Sequence, residues 1–433
     1  MDKVCSWWGK GIFVSLCVSI ALLGMGPLES SLPGVRASAW SVSRTTFFLW
    51  LVGKILIRFR YRSWAFGFVK QSVPVPVILF FALVTLSLLP DFHQAGDYRY
   101  FFFASMHYLM IVDLFSNQKR WRLAFHLLAL LPGLLVIRGI LYDPLVLELD
   151  QMRRFGYPLD HPNTAGYLFA ITLPLCFALV VAERGRMRAL SALSWGVQLL
   201  ALILTYSRGS WLGWFASIFS FSVMLKQWRE TWIVLTIVGL FLTFAAPLQE
   251  RLVTLVRPQT DITINERMQA MEAGVRVGLN HPLLGVGYGR GRLREGLREL
   301  YPAGEADITR IAHTHNLYIE LFAETGLLGL CTFIVLVCHA LTRALRNASS
   351  LQGEIRIFQF GIAASWIGFA VAGFGDVPFF HHETRILFFT LLALTYLHNH
   401  KSSESGCLVC HLDEICYHKP VSHGAADLSG KCG

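Results

Sequence analysis

The stretch HTHNLYIELFAETGLLGL, His313 to Leu330, sets two histidines and an asparagine at the mouth of an apolar, helix-like run that also carries Glu320 and Glu324. Imidazole has an ordinary pKa of about 6.5 and so can take up a proton near neutral pH. His315 is therefore a candidate general base, and His313 a second base or an orienting partner. The plainer use of such residues is a polar cap with the rings among lipid head groups. Upstream, residues 248–314 hold nine arginines and no lysine. Arginine is a planar, permanently charged fork that binds phosphate oxygens in pairs. In RGRLREGLREL the arginines are interleaved with Glu295 and Glu299, so ion pairs along a solvated helix account for that cluster without a ligand. Arg267 differs: it lies in NERMQAMEAGVRVGLNHPLLGVGYG, where a helical pattern runs into a glycine-rich turn.

The elements that must position these residues are helices in a membrane. The 433-residue chain is 54% hydrophobic and 15% charged, with mean hydropathy +0.50, against about 25% charged in soluble proteins. About twelve stretches are apolar enough to be read as bilayer spans. They centre on 11–27, 40–57, 73–90, 99–116, 121–140, 164–182, 189–206, 209–225, 231–247, 317–341, 357–376 and 385–398. The second is interrupted by Lys54 and the last is short. No stretch alternates like a barrel strand, so the fold class is an all-α polytopic membrane protein. The net charge of +10 points to no nucleic acid, because it falls in alternate loops. NQKRWR, ERGRMR, KQWRE and TRALRNASSLQGEIR are basic, whereas PDFHQAGDY and DVPFFHHETR hold few basic residues. That is the positive-inside pattern. It puts both chain ends in the cytoplasm and leaves residues 248–314 as one long, partly helical outer loop. Residues 1–400 read as one polytopic unit and 401–433 as a short cytoplasmic tail. The ASA at 37–39 lies too far past the first apolar run for a cleaved signal, so that run is read as a retained span.

Other motifs carry less. Gly285, Gly287, Gly289 and Gly291 lack the strand-to-helix setting of a dinucleotide fingerprint, and no Lys-Ser/Thr follows them as in a P-loop. They read as tight turns and close backbone approach. His161-Pro162-Asn163 opens the sixth span on the outer side and could line the same cavity as His315. His381 and His382, with Arg385 nearby, lack a third ligand at helical spacing, so they are a weak metal signal. The tail holds C-x-x-C-H at Cys407 to His411, then Cys416 and His418. These are incidental or lipid-anchoring cysteines, zinc ligands or a haem attachment site, and a cytoplasmic tail argues against the last.

His315-Asn316, nine residues, Gly326, two residues and Gly329 form the pattern H-N-x9-G-x-x-G. This resembles the O-antigen ligase family of bacterial envelope enzymes. GVGYG, HPNTAGYLFAITLPL (161–175) and TYSRGSWLGW (205–214) also resemble family stretches. The resemblance implies transfer of a glycan from an undecaprenyl-pyrophosphate carrier to an envelope acceptor, such as a glycan or lipid A-core, on the outer face of the inner membrane. Some relatives polymerise glycan repeats instead. By this resemblance His315 is the essential histidine, and Arg208 and Arg267 are the essential arginines that hold the donor pyrophosphate. Asn316, Glu324, Gly326 and Gly329 are expected to support them. In the sequence no carboxylate near His315 competes for the role of base, and no acidic pair suggests a bound ion. No metal and no cofactor are expected. The other reading is a solute transporter, which predicts an internal repeat and midplane charges. No repeat is evident, and the charged candidates sit at one face.

The loop pattern generates an expectation for labelling in intact cells. A cysteine placed at position 300 should react with a membrane-impermeant thiol reagent, and one placed within 342–356 should not. The opposite pattern would invert the topology.

Overall fold

The computed structural model describes residues 2–25, 28–29, 36–61, 73–88, 98–147, 153–159, 161–226, 262–289, 292–300, 311 and 313–397, with isolated positions between 227 and 261. The described elements are helical, apart from an antiparallel pair of two-residue strands, Leu28–Glu29 with Arg36–Ala37. In chain order the helices are α1 (Asp2–Met25), α2 (Ala39–Tyr61), α3 (Val75–Leu86), α4 (Tyr98–Leu114), α5 (Gln118–Leu130) and α6 (Pro132–Tyr142). There follow α7 (Pro162–Ala182), α8 (Gly185–Leu204), α9 (Arg208–Leu225), α10 (Ile262–Asn280) and α11 (Arg292–Leu300). The last three are α12 (Leu317–Ser350), α13 (Gly353–Ala372) and α14 (His382–Tyr396).

Among the described residues, five stretches are long and apolar enough to cross a membrane: Gln118–Tyr142, which joins α5 and α6, and α7, α8, α12 and α13. The other expected spans coincide with α1 to α4, α9 and α14, except 231–247, which lies outside the described residues, as does the 401–433 tail. Helix α2 leaves Phe48, Leu49, Val52, Ile55 and Leu56 exposed. Water penalises such a stripe, and acyl chains do not. Lys54 does not end α2. It is buried, with Nζ 2.7 Å from Oδ1 of Asp113 on α4, and the Trp50 indole N–H donates to the second carboxylate oxygen at 2.8 Å.

Helix α13 is the hub, packed against α7, α9 and α12. Starts of helices are set by local chemistry. Asn117 accepts from the Arg120 N–H at the head of α5, His161 from Asn163 at α7, and Asn316 from Tyr318 and Ile319 at α12. Pro132 and Pro162 sit in first turns, where no N–H is needed.

Helix α12 covers the apolar stretch centred on 317–341 and breaks at Gly326, whose φ of 67° and ψ of −172° suit only glycine. The loop after α10 fills the break. Val286 and Gly287 donate to the carbonyls of Ala323 and Glu324 at 2.9 and 2.8 Å, and Leu327 donates to Pro282 at 2.8 Å. Gly285, with φ 68°, presses against the Glu324 backbone, and Gly326 against that of Leu283. Helices α10 and α11 form a lobe with a small core of Ala273, Val277, Leu293, Leu297 and Ala323. Gly274 and Gly278, one turn apart on α10, let that helix close on Thr314, Ile319 and Phe322.

Gly326→Ala should therefore unfold the junction, because the new Cβ meets the Leu283 carbonyl in a backbone region closed to L residues. Gly185→Ala is the control: φ is also positive, 56°, but nothing lies within 4 Å, so it bears only the left-handed strain of about 1–2 kcal/mol. Melting temperatures in detergent should fall much further for Gly326→Ala. Equal losses would show that the interlock contributes nothing.

Candidate active site

The segment 313–317 is clamped before α12 begins. The Thr314 N–H donates to Oε2 of Glu320 at 2.7 Å, and its hydroxyl donates to the Asn316 carbonyl at 2.8 Å. The Asn316 side-chain amide donates to the Phe374 carbonyl at 3.3 Å, and the Leu317 N–H to Gly373 at 2.8 Å. These bonds press the segment onto the 373–377 turn that follows α13. His315 is held at φ 54°, an uncommon conformation for a non-glycine residue. Its own N–H donates to Nδ1 of His313 at 3.3 Å. That nitrogen must carry a lone pair, so His313 is neutral with its proton on Nε2.

Across from the histidines stands Asp376. Its Oδ1 lies 3.4 Å from Nδ1 of His315 and 3.9 Å from Nδ1 of His313. The His315 ring nitrogen has no well-aligned hydrogen bond, so the contact is one of charge and proximity. The Val377 N–H donates to Oδ1 at 2.9 Å, and the Asn163 side-chain amide donates to Oδ2. Arg154 in turn donates to Asn163 Oδ1 at 2.7 Å and to the Thr205 carbonyl at 2.8 Å. Arg267 reaches over from α10, and its Nη1 donates to the Gly375 carbonyl at 3.1 Å. Arg208 opens α9. Its neighbour Gly209 lies against Gly375 closely enough that a Cβ there would stand 3.1 Å from the Gly375 Cα. His161 stacks on His381 with ring centroids 5.7 Å apart.

Burial acts to raise the Asp376 pKa, yet the contact with His315, the charge of both imidazoles when protonated and the Val377 N–H hold the carboxyl well below its usual range. His313 is pushed down to about 4, first by burial, then by His315 and Arg267, against the pull of Asp376. His161 is also lowered, by burial first. At neutral pH the site thus holds one carboxylate and a neutral His313.

The sequence showed no carboxylate near His315 that would compete as base, and the structure places Asp376 beside it. The two residues are far apart in sequence, and the clamp on α13 brings them together. His313, His315, Asn316 and Arg267 converge on the 373–377 turn, as does Asn163 of the 161–163 motif. Glu324, with Glu320, Tyr288 and Arg385, lines a cavity of about 20 Å³, room for a single water. Gly326 and Gly329 are architectural, the latter lying against the Thr325 side chain. Of the arginine cluster, Arg292 pairs with Glu295 and Arg276 with Glu272, as expected of helix ion pairs. Arg251, Arg257, Arg290 and Arg310 lie outside the described residues. His382 stacks on Tyr100 at 3.7 Å. Among the described residues, His313, His315 and Asp376 form a group whose donor atoms lie close enough to surround a cation, although Nδ1 of His313 already accepts the His315 N–H.

Residues 189–334 match the family model described as O-antigen ligase. That match supports a likeness to the O-antigen ligase family over this segment. No curated protein matches it. The match, with the apolar helices, points to a membrane protein and suggests a bacterial glycosyltransferase of the ligase or polymerase type. The matched segment carries Arg208, Arg267, His313 and His315, and Asn163, Arg154 and Asp376 come from either side of it.

The depressed His313 and Asp376 fix a sign for pH dependence. Below about 6.5 the unfolded chain protonates His313 while the fold resists until about 4, so stability falls as pH drops through that window. The Asp376 contribution is complete above its unfolded pKa of about 3.9 and is lost below it. On going from pH 7 to pH 5 the wild type should lose stability relative to His313→Gln, read as melting temperatures. An unchanged difference between the two would mean that His313 is not held neutral.

Proposed function

We propose that the protein moves a glycan from an undecaprenyl-pyrophosphate carrier to an acceptor hydroxyl, with His315 as general base and Arg208 and Arg267 holding the pyrophosphate. The observation that carries this reading is the His315–Asp376 pair beside the Gly375 carbonyl bound by Arg267, in a chain of this family. With Nδ1 facing Asp376, Nε2 of His315 takes the acceptor proton. The acceptor oxygen then bonds to the anomeric carbon as the bond from that carbon to the pyrophosphate oxygen breaks, and the lipid pyrophosphate leaves with the electron pair. Asp376 stays ionised and offsets the charge that the imidazole gains. The guanidinium groups offset the charge growing on the leaving group. His313, engaged by the His315 N–H, holds the base in place.

On this reading the chain has about twelve spans, as its apolar stretches suggest. The 248–314 loop lies on the periplasmic face of the inner membrane, no metal is needed, and a lipid A-core or glycan acceptor docks from outside. A polymerase would use the same base and arginines with a growing glycan as acceptor, so product analysis separates the two. A transporter would not require a histidine held in a strained conformation against a carboxylate.

The test supplies purified protein with a defined lipid-linked donor and several acceptors, with and without chelator. His315→Ala should cut turnover by about 10²–10⁴ while donor binding persists. Arg208→Lys and Arg267→Lys should each lose about ten- to a hundredfold, as a charge-assisted bond of about 1.5–3 kcal/mol is weakened. Near-normal transfer by His315→Ala would remove it as the base. Loss of activity with chelator, restored by a divalent ion, would replace the metal-free reading.

A further inference from the structure

We propose that Arg154 and Asn163 are positioning residues that orient Asp376, and through it His315, while Arg154 also fixes the turn that presents Arg208. This rests on the transfer reading above and extends it to residues outside the segment that matches the family model.

The argument begins with an amide. A side-chain amide has a donor end and an acceptor end, and which end points where is decided by its partners. The Asn163 oxygen receives Nη2 of Arg154 at 2.7 Å, and a guanidinium can only donate. The NH2 end is thereby turned to Asp376 Oδ2. Asn163 is buried, so water does not compete for either end. The other Asp376 oxygen takes the Val377 N–H at 2.9 Å and faces His315 at 3.4 Å. Both oxygens are thus oriented, and the one left against the imidazole is Oδ1. An aspartate at 163 would set a second carboxylate against Asp376, so the neutral amide is the group that can bridge a guanidinium and a carboxylate here.

Arg154 has a second engagement. Its Nε donates to the Thr205 carbonyl at 2.8 Å. Thr205 ends α8, and three residues later Arg208 begins α9. The hydroxyl of Thr205 accepts the Ser207 N–H at 3.2 Å, which carries the constraint to the residue before Arg208. One guanidinium fork therefore spans the base side of the site and its arginine side. Lysine could supply a donor to one of the two oxygens but not the fixed fork.

The experiment measures turnover, donor KM and the pH–rate profile for wild type, Asn163→Ala, Arg154→Lys and Arg154→Ala, with melting temperatures beside them. Asn163→Ala should lower kcat about ten- to a hundredfold with donor KM within twofold of wild type. Its acidic limb should move to lower pH, because a carboxylate no longer aimed at the ring stabilises the imidazolium less. Arg154→Lys should show the same shift in smaller measure. Arg154→Ala should add a rise in donor KM, since the Arg208 turn is also released. If Asn163→Ala does not fold, Arg154→Lys carries the test. Unchanged kcat, or a loss with the acidic limb unmoved, would make these residues structural only and overturn the proposal. Absence of transfer by the wild type would instead count against the transfer reading. The relay is then read from the His315 imidazole titration by NMR, which should shift between wild type and Asn163→Ala and would overturn the proposal if it did not.

Discussion

A backbone in apolar surroundings must give each N–H and C=O a partner. Helix α12 meets this through its own ladder until Gly326, where the ladder stops. The exposed carbonyls of Ala323 and Glu324 and the Leu327 N–H are then taken up by the 282–287 loop. The fixing of α10 depends on that exchange. Helix α10 leads into the loop, so its position against 314–322 is set, and Arg267 on α10 reaches the Gly375 carbonyl. The lobe is thus docked by backbone bonding that two close-packed glycines permit, and side-chain packing of its small apolar core completes the contact.

The consequence for chemistry is that the histidines do not sit on a regular helix. They precede α12 in a segment whose bonds run sideways, to Glu320, Phe374 and Gly373. A residue at φ 54° persists only where its neighbours determine it. Here the neighbours also deliver Asp376, because the turn that accepts the Asn316 amide is the turn that carries the carboxylate. Holding the chain and presenting the acid are one arrangement.

Much of this was legible in the sequence and some was not. Apolar run length located the helices, since it reflects a solvent requirement that acts locally. The glycine spacing after His315-Asn316 carried the family resemblance, though not the break at Gly326 or the loop that fills it. Asp376 escaped notice for a physical reason. A carboxylate in GFGDVP looks like an ordinary turn residue, and its partners Asn163 and His315 are set by the packing of α7, α12 and α13, which leaves no mark at short range. Lys54 makes the same point: it interrupts the second apolar run, and its partner Asp113 comes from another helix.

Asp113 and Asp376 show how burial separates a structural carboxylate from a reactive one. Both are largely shielded from water. Asp113 has Lys54 at 2.7 Å and the Trp50 N–H at 2.8 Å, one well-made bond on each oxygen. Such a pair is closed, and its removal would cost the uncompensated charge. Asp376 is bonded by two neutral amides, and its nearest basic groups are imidazoles. Among the described residues no lysine or arginine bonds it, although Arg267 lies close by on the Gly375 carbonyl, and a proton on His315 adds the nearest positive charge. On the proposed reading, a carboxylate placed against the ring stabilises the protonated imidazole more than the neutral one, which favours taking a proton from a hydroxyl. The same reasoning explains why Arg154 is kept one residue removed, behind Asn163. A guanidinium placed directly on Asp376 would close the pair, as Lys54 closes Asp113, and on the proposed reading would leave less of the carboxylate's charge to His315.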